Sequence, residues 1–338
     1  MGYRVAIVGA TGAVGRELLN VLHERGFPID KLYAVASSNS EGKEVSFGEE
    51  ESLKVQSIEN TDFSEVDISF FSAGGKVSEE YAVKAGKEGG VVIDNTSSFR
   101  MNPEVPLVVP EVNREALVDF RNFNIVSNPN CSTIQMVVAL KPLHDLAIIK
   151  RVVVSTYQSV SGAGRSAMDE LFQQTRKIFF NQEIDKEIFS KQIAYNVIPQ
   201  IDIFLDDGST KEEDKMVKET KKILSESIEV SATCVRVPTF IGHAESVNIE
   251  FINSISLEEA ISALQTCESI AITDLEDKNL FITPKESAGT SEVFISRLRE
   301  DNSVVSGLNM WIVADNLRKG AALNSIQIAE TMIEDGYL

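Results

Sequence analysis

Residues 4–22 read RVAIVGATGAVGRELLNVL. The apolar run Val5–Val8 stops at Gly9-Ala10-Thr11-Gly12-Ala13-Val14-Gly15, and leucines at 18, 19 and 22 then recur with helical spacing. Strand, glycine turn and helix in that order open a parallel sheet whose first crossover can hold a pyrophosphate. Glycines let backbone amides approach the phosphates, and the helix N-terminus attracts their charge. The spacing is GxxGxxG rather than GxGxxG, so a turn that merely needs small residues is the alternative reading.

The same texture continues outward from this stretch. Strands are expected at Arg4–Val8, Lys31–Ala36, Asp67–Phe71, Val91–Asp94, Leu107–Val109 and Asn124–Ser127, with helical patterns between them. Such alternation predicts an α/β fold with a Rossmann-type dinucleotide-binding domain. After Cys131 the pattern changes. Strands at Arg151–Ser159, Ser231–Arg236, Ser246–Phe251, Val293–Arg297 and Leu308–Val313 predict a second α+β domain on a largely antiparallel sheet. Gly164–Gln200 reads as a helix-plus-loop excursion suited to a subunit contact. The closing segment GAALNSIQIAETMIEDGYL is helical by period and is expected to pack on the first domain. The expected division is residues 1–130 plus 318–338 for the dinucleotide-binding domain and 131–317 for a catalytic and dimerisation domain.

Composition narrows the function. A length of 338 residues suits two domains, and a net charge of -19 argues against a nucleic-acid partner. Local cations can still reverse the field for an anionic small molecule. The opening residues lack the pattern of a signal peptide, and no apolar run is long enough to span a bilayer, so a cytoplasmic protein without a membrane partner is expected. Three cysteines, Cys131, Cys234 and Cys267, stand at no metal-ligand spacing, so no metal is expected.

Cys131 stands in IVSNPNCSTIQM, residues 125–136. Asn128-Pro129 ends a short strand, Asn130 is a natural N-cap, and the apolar run after Ser132 reads as a buried helix up to Lys141-Pro142. A thiol in a helix's first turn meets unpaired amides and the positive dipole end, both of which favour the thiolate. The alternative is a small buried hydrophobe. A thiolate nucleophile with a nicotinamide implies aldehyde oxidation through a thioester, which needs an acid-base group. Of three histidines, His23 and His144 sit on helices and read as structural; His243, in a loop before a strand, is left by elimination.

Anion sites are expected at Arg100, closing the polar loop DNTSSFR after a strand end, and at Arg236, ending SATCVR. Glu212 and Lys215 border the apolar stripe of one helix, where a solvated ion pair is the simpler reading. The second strand is followed by Ser37-Ser38-Asn39-Ser40-Glu41-Gly42-Lys43. No acidic residue waits there for a free ribose hydroxyl, which favours NADP.

Taken together, GATGAVG, FSAGG, DNTSSFR, LVVPEVN, SNPNCSTIQM, STYQSVSGAG, GSTKEEDKMVKETKKIL, SATCVRVP, GHAESV and DNLRKGAALNSIQIAE resemble the bacterial aspartate-semialdehyde dehydrogenases over nearly the whole chain. The resemblance implies a glyceraldehyde-3-phosphate dehydrogenase-like fold and a homodimer built through the second domain. It implies the nucleophile at Cys131, the acid-base at His243 and a substrate-orienting Gln158. Arg236 and Glu212 would hold the amino acid, and Arg100 and Lys215 phosphate, with Asn130 nearby. Cofactor contacts fall on Gly9, Thr11, Gly12, Ala13, Val14, Asn39, Ser40, Ser161, Gly162 and Asn316. The implied reaction interconverts L-aspartate 4-semialdehyde, phosphate and NADP+ with 4-phospho-L-aspartate and NADPH, on the route to lysine (through diaminopimelate), threonine and methionine. One position departs from the family. Its loop reads ARS where this chain has Ser38-Asn39-Ser40, so the arginine for the 2'-phosphate is absent and NAD stays open as a cofactor. An N-acetylglutamyl phosphate reductase, a CoA-thioester reductase and an inactive dinucleotide-binding paralogue are the competing readings.

Overall fold

A computed structural model describes residues 2–49 and 51–338. The chain forms two compact units, one running to Asn130 and resuming at Ala321–Leu338, the other Cys131–Gly320. The return crossing therefore falls after residue 320 rather than after 317.

In the first unit the opening apolar run is β1 (Tyr3–Val8), followed by the helix Ala13–Glu24 and β2 (Ile29–Ala36). β3 (Glu44–Phe47) and β4 (Glu51–Lys54) make a small hairpin, and β5 (Gln56–Ser57), β6 (Ile68–Phe71), β7 (Val91–Asp94) and β8 (Ile125–Ser127) complete the set. Six of these form a sheet in the order β5-β2-β1-β6-β7-β8, every pairing parallel. Val5, Ala6, Ile7 and Val8 are all buried, as a strand covered on both faces requires. Leu18, Leu19 and Leu22 pack with Ile326 and Met332 of the C-terminal helix Leu323–Glu334 in one core, while Phe63, Phe71, Ala82 and Ala85 lie in another. Each buried leucine contributes roughly 1.5–3 kcal/mol. The half-exposed Arg25–Glu330 ion pair, at 2.7 Å, adds at most about 1 kcal/mol, so burial holds the C-terminal helix in place.

The expected strand Leu107–Val109 is reduced to one parallel bridge, Leu107 to Ser127. Pro106 and Pro110 flank it and supply no amide protons, so the ladder cannot extend. The hairpin and β5 were not anticipated.

The second unit contains β9 (Ile149–Gln158), β10 (Glu229–Arg236), β11 (His243–Phe251), β12 (Ile270–Ile272), β13 (Val293–Glu300) and β14 (Gly307–Ala314). Their order is β10-β9-β11-β14-β13-β12. The three central pairings are antiparallel, and both outer ones are parallel. The helix Cys131–Ala147 packs on β9, β11, β13 and β14, beside the helices Lys211–Ile223 and Leu257–Leu264. It does not end at Pro142, as expected, but runs a further turn with Pro142 inside it. Burial of Leu143 and Ala147 offsets the backbone bond the proline cannot make. β11 also begins earlier than expected, so His243 is the first strand residue, paired with Ala314, and not part of the preceding loop.

The glycine turn is a packing requirement as well as a binding one. A Cβ on Gly15 would lie 2.1 Å from the carbonyl oxygen of Gly9, whereas one on Gly12 would approach the same oxygen only to 3.3 Å. Gly15→Ala should therefore destabilise by about 1–3 kcal/mol, and Gly12→Ala by clearly less. Urea unfolding midpoints of the two variants test the order.

Candidate active site

The first unit presents the glycine loop. Gly9 adopts φ +97°, its amide and that of Ala10 donate to the Val35 carbonyl, and Gly12 N–H donates to the Gly9 carbonyl at 2.9 Å. Gly9, Thr11 and Gly12 line a cavity of about 280 Å³ with Ser37, at the end of β2, and Ser72 and Ala73, after β6. Because β2 and β6 flank β1 on opposite sides, this is the point where the strand order reverses, the usual place for a dinucleotide. The small residues and the steric demand at Gly15 fit such a ligand. Asn39 and Ser40 lie just beyond, in a short turn, and Lys43 Nζ donates to Ser40 Oγ at 3.3 Å.

Arg100 is held in the same unit. Its Nε donates to the Asn128 carbonyl at 2.9 Å and its Nη2 to the Asn95 carbonyl at 2.8 Å. Both acceptors are neutral main-chain carbonyls, and they orient the guanidinium. The loop owes its shape to Asp94, fully buried, which accepts from Ser78 Oγ, Thr96 N–H and Thr96 Oγ. Burial pushes its pKa up, while those donors and Arg100 oppose the shift. An amide network completes the support. Asn324 Nδ2 donates to Asn128 Oδ1, whose own Nδ2 donates to Asn95 Oδ1, and Ser325 Oγ donates to that same oxygen.

In the second unit Cys131 is the first residue of its helix, directly after Asn130, and is half-buried. A Cβ on Gly320 would come within 2.7 Å of the Cys131 Cβ, so only glycine lets that segment pass. Asp315 fixes the segment by accepting from Leu317 and Arg318 amides, while its own carbonyl accepts from Gly320 N–H.

His243 is fully buried. Its Nδ1 accepts from the Ser159 N–H at 3.1 Å, with Ser159 Oγ at the same distance. The neutral ring therefore carries its proton on Nε2, which has no partner among the described residues. Burial, then the positive charge of Arg236, push its pKa down to about 3, with Glu212 opposing. Asn316 Oδ1 accepts from Ser159 Oγ, Ser161 Oγ and Gly242 N–H, which ties the strand ends around the imidazole together. Gly162 lies against this group: its Cβ would stand 2.9 Å from Arg236 Nη1 and 3.2 Å from His243 Nε2.

Arg236, at the end of β10, is buried and donates from Nη1 to the Ser159 carbonyl at 2.8 Å. Burial lowers its pKa, while Glu212 and Cys131 raise it. Gln158 Nε2 donates to Ser132 Oγ at 2.8 Å and lies 3.4 Å from Glu212 Oε1. Glu212 is buried, so its pair with Lys215, at 3.0 Å, is not the solvated one expected. Lys215 also meets Asp202 at 3.1 Å; burial would lower its pKa, but the two carboxylates raise it overall. A capping box between Thr210 and Glu213 starts this helix.

The second unit thus gathers Cys131, Gln158, Glu212, Lys215, Arg236 and His243, and the first holds Arg100 and the glycine loop. Sequence reasoning missed Ser132, Ser159, Gly320 and the Asn95–Asn128–Asn324 network; their roles depend on contacts across long stretches of chain. His144 accepts from the Ile149 N–H and His23 packs edge-on to Phe47, both structural as expected. Cys234 is buried and burial pushes its thiol pKa far up; Cys267 is only half-buried, with Ser269 Oγ at 3.2 Å, and is not a core thiol. Among the described residues no cluster of His, Cys, Asp or Glu could hold a metal, and no helix is long and apolar enough to cross a membrane.

Residues 4–120 match the family model of the semialdehyde dehydrogenase NAD binding domain, and residues 140–319 that of the semialdehyde dehydrogenase dimerisation domain. Fold and site therefore define a nucleotide-binding semialdehyde dehydrogenase. The chain is 53% identical to the aspartate-semialdehyde dehydrogenase of Aquifex aeolicus, covering 100% of both chains. Its fold matches the crystal structure of aspartate semialdehyde dehydrogenase II from Vibrio cholerae complexed with ASA, with a TM-score of 0.96, 51% identity and 99% of each chain covered. A probable aspartate-semialdehyde dehydrogenase from Pseudomonas aeruginosa matches with a TM-score of 0.93 at 31% identity over 100% of both chains. The chain belongs to the aspartate-semialdehyde dehydrogenase family.

The depressed pKa of His243 has a thermodynamic consequence. As pH falls below the ordinary histidine value of 6.5, the unfolded chain takes up a proton that the folded one refuses until about pH 3. Stability should drop with falling pH across that window, by at most about 1.4 kcal/mol per pH unit from this group. Urea unfolding at a series of pH values should show a shallower slope for His243→Gln than for the parent; equal slopes would contradict the buried neutral ring.

Proposed function

We propose that this chain interconverts L-aspartate 4-semialdehyde plus phosphate with 4-phospho-L-aspartate, using NADP(H), in the cytoplasm. The observation that carries the reading is the pairing, in one unit, of a thiol at a helix start with a buried imidazole whose Nε2 proton has no partner. In the biosynthetic direction Cys131 Sγ attacks the acyl phosphate carbon, the C–O bond to phosphate breaks, and a thioester forms on Cys131. His243 Nε2–H would hydrogen-bond the former carbonyl oxygen and stabilise the negative charge that reduction places on it. That charge re-forms the carbonyl as the C–S bond breaks, releasing the aldehyde and the Cys131 thiolate. When bound, the nicotinamide would supply the hydride for this reduction. Arg236 clamps the carboxylate with its fork, Glu212 receives the ammonium, and Gln158 orients the carbonyl. Arg100 and Lys215, with Asn130, receive the departing phosphate.

Gly9, Thr11, Gly12, Ala13 and Val14 would hold the pyrophosphate, and Asn39 and Ser40 the adenosine end. Ser161, Gly162 and Asn316 would both brace His243 and border the nicotinamide. Lys43 supports NADP over NAD. It brings to Ser40 the positive charge that Asn39 does not supply. A homodimer is proposed through the sheet face that the helices leave uncovered, where Tyr157 and Ser246 are exposed beside Trp311.

The test is nicotinamide reduction with L-aspartate semialdehyde and phosphate. Phosphate-dependent turnover abolished in Cys131→Ala is the expected result; no turnover with either cofactor refutes the substrate assignment and directs attention to N-acetylglutamate semialdehyde. Lys43→Met should lower kcat/KM for NADP+ about tenfold and leave that for NAD+ unchanged. An unchanged ratio would remove Lys43 from the cofactor site.

A further inference from the structure

Among the buried carboxyl groups to which no task falls in that reaction, Glu245 lies nearest in sequence to a proposed catalytic residue. Gln135 stands one helical turn after Cys131, and Glu245 stands two residues after His243 on β11. Each pair therefore projects from one face of its element. The two elements meet there, since Gln135 Nε2 lies 3.4 Å from the His243 carbonyl oxygen it donates to. Strand register sets Thr156 of β9 directly across from Glu245.

Glu245 is fully buried and Gln135 is 1% exposed. Both Glu245 carboxyl oxygens, Gln135 Oε1 and Thr156 Oγ have no hydrogen-bond partner among the described residues. With Glu245 ionised, three of these four oxygens could only accept, and a buried carboxylate without a donor costs several kcal/mol. One proton on the carboxyl converts an orphan acceptor into a donor. The Gln135 amide lies close enough to bear on the ionisation of Glu245, and burial outweighs it in pushing the pKa well above the carboxylate range.

We propose that Glu245 is a neutral carboxylic acid in the folded protein, hydrogen-bonded to the Gln135 amide, and that it is a positioning residue holding the Cys131 turn of its helix against the His243 end of β11. It touches no substrate. Its protonation state is independent of the function proposed above, whereas its catalytic consequence rests on the roles assigned to Cys131 and His243.

Two measurements separate these parts. Infrared difference spectra of the parent against E245Q, near neutral pH and without substrate, should show a protonated-carboxyl C=O band present in the parent and missing from the variant. Absence of that band overturns the proposal whatever the enzyme's activity. Kinetically, E245A should lower kcat on the order of 100-fold with little change in KM for the semialdehyde, and E245Q should recover most of the loss because it keeps a neutral donor of the same shape. Gln135→Met should reproduce the E245A loss, and the double variant should lose no more than either single one. If E245A keeps kcat per folded molecule, or if the two losses add, the positioning role is wrong even where the infrared band is found.

Discussion

A single backbone amide sets the chemistry of the second unit. Ser159 N–H donates to His243 Nδ1, which places the ring proton on Nε2. Burial and Arg236 then keep the ring neutral, so its Nε2–H stands as a neutral donor and the ring is not a cation. Everything around this bond serves to keep Ser159 where it is. Its carbonyl accepts from Arg236 and its hydroxyl donates to Asn316, which also receives the Gly242 amide. One contact thereby links β9, β10, β11 and the segment after β14.

The same economy governs charge. The chain is strongly acidic overall, and Arg100 is oriented by the main-chain carbonyls of Asn128 and Asn95. Lys215 is treated differently, lying between Glu212 and Asp202. An anion arriving at Lys215 must share that ammonium with two carboxylates. Glu212 gains from the arrangement as well. The Lys215 ammonium, at 3.0 Å, offsets part of the cost of burying its carboxylate.

Much of this was legible in the sequence wherever the signal is local. A four-residue apolar run before three spaced glycines can hardly be anything but a buried strand entering a tight turn, and β1 with its helix follows it closely. Cys131 at a helix start could be read from Asn128-Pro129-Asn130, because capping and proline effects act over a few residues. Boundaries went wrong where tertiary packing overrides such rules: Pro142 does not end its helix, and His243 joins the ladder three residues before the expected strand start at Ser246. The Asn95–Asn128–Asn324 network was invisible for a different reason. Its members are ordinary loop and helix residues until the fold brings positions some two hundred residues apart into hydrogen-bond contact.

Glycine and the buried polar groups answer one demand between them. Catalysis by a thiol and an imidazole requires both to be held to within fractions of an ångström, and the chain meets this by close approach and not by added bulk. Gly320 passes against Cys131 at a separation no side chain would permit, and Gly162 lies so close to Arg236 and His243 that a side chain there would have to displace them. Close packing alone fixes distance but not rotation about a helix axis. A hydrogen bond between Gln135 and Glu245, one turn below the reactive pair, would supply that missing constraint, which is why a fully buried glutamate can persist where a leucine would cost less to bury.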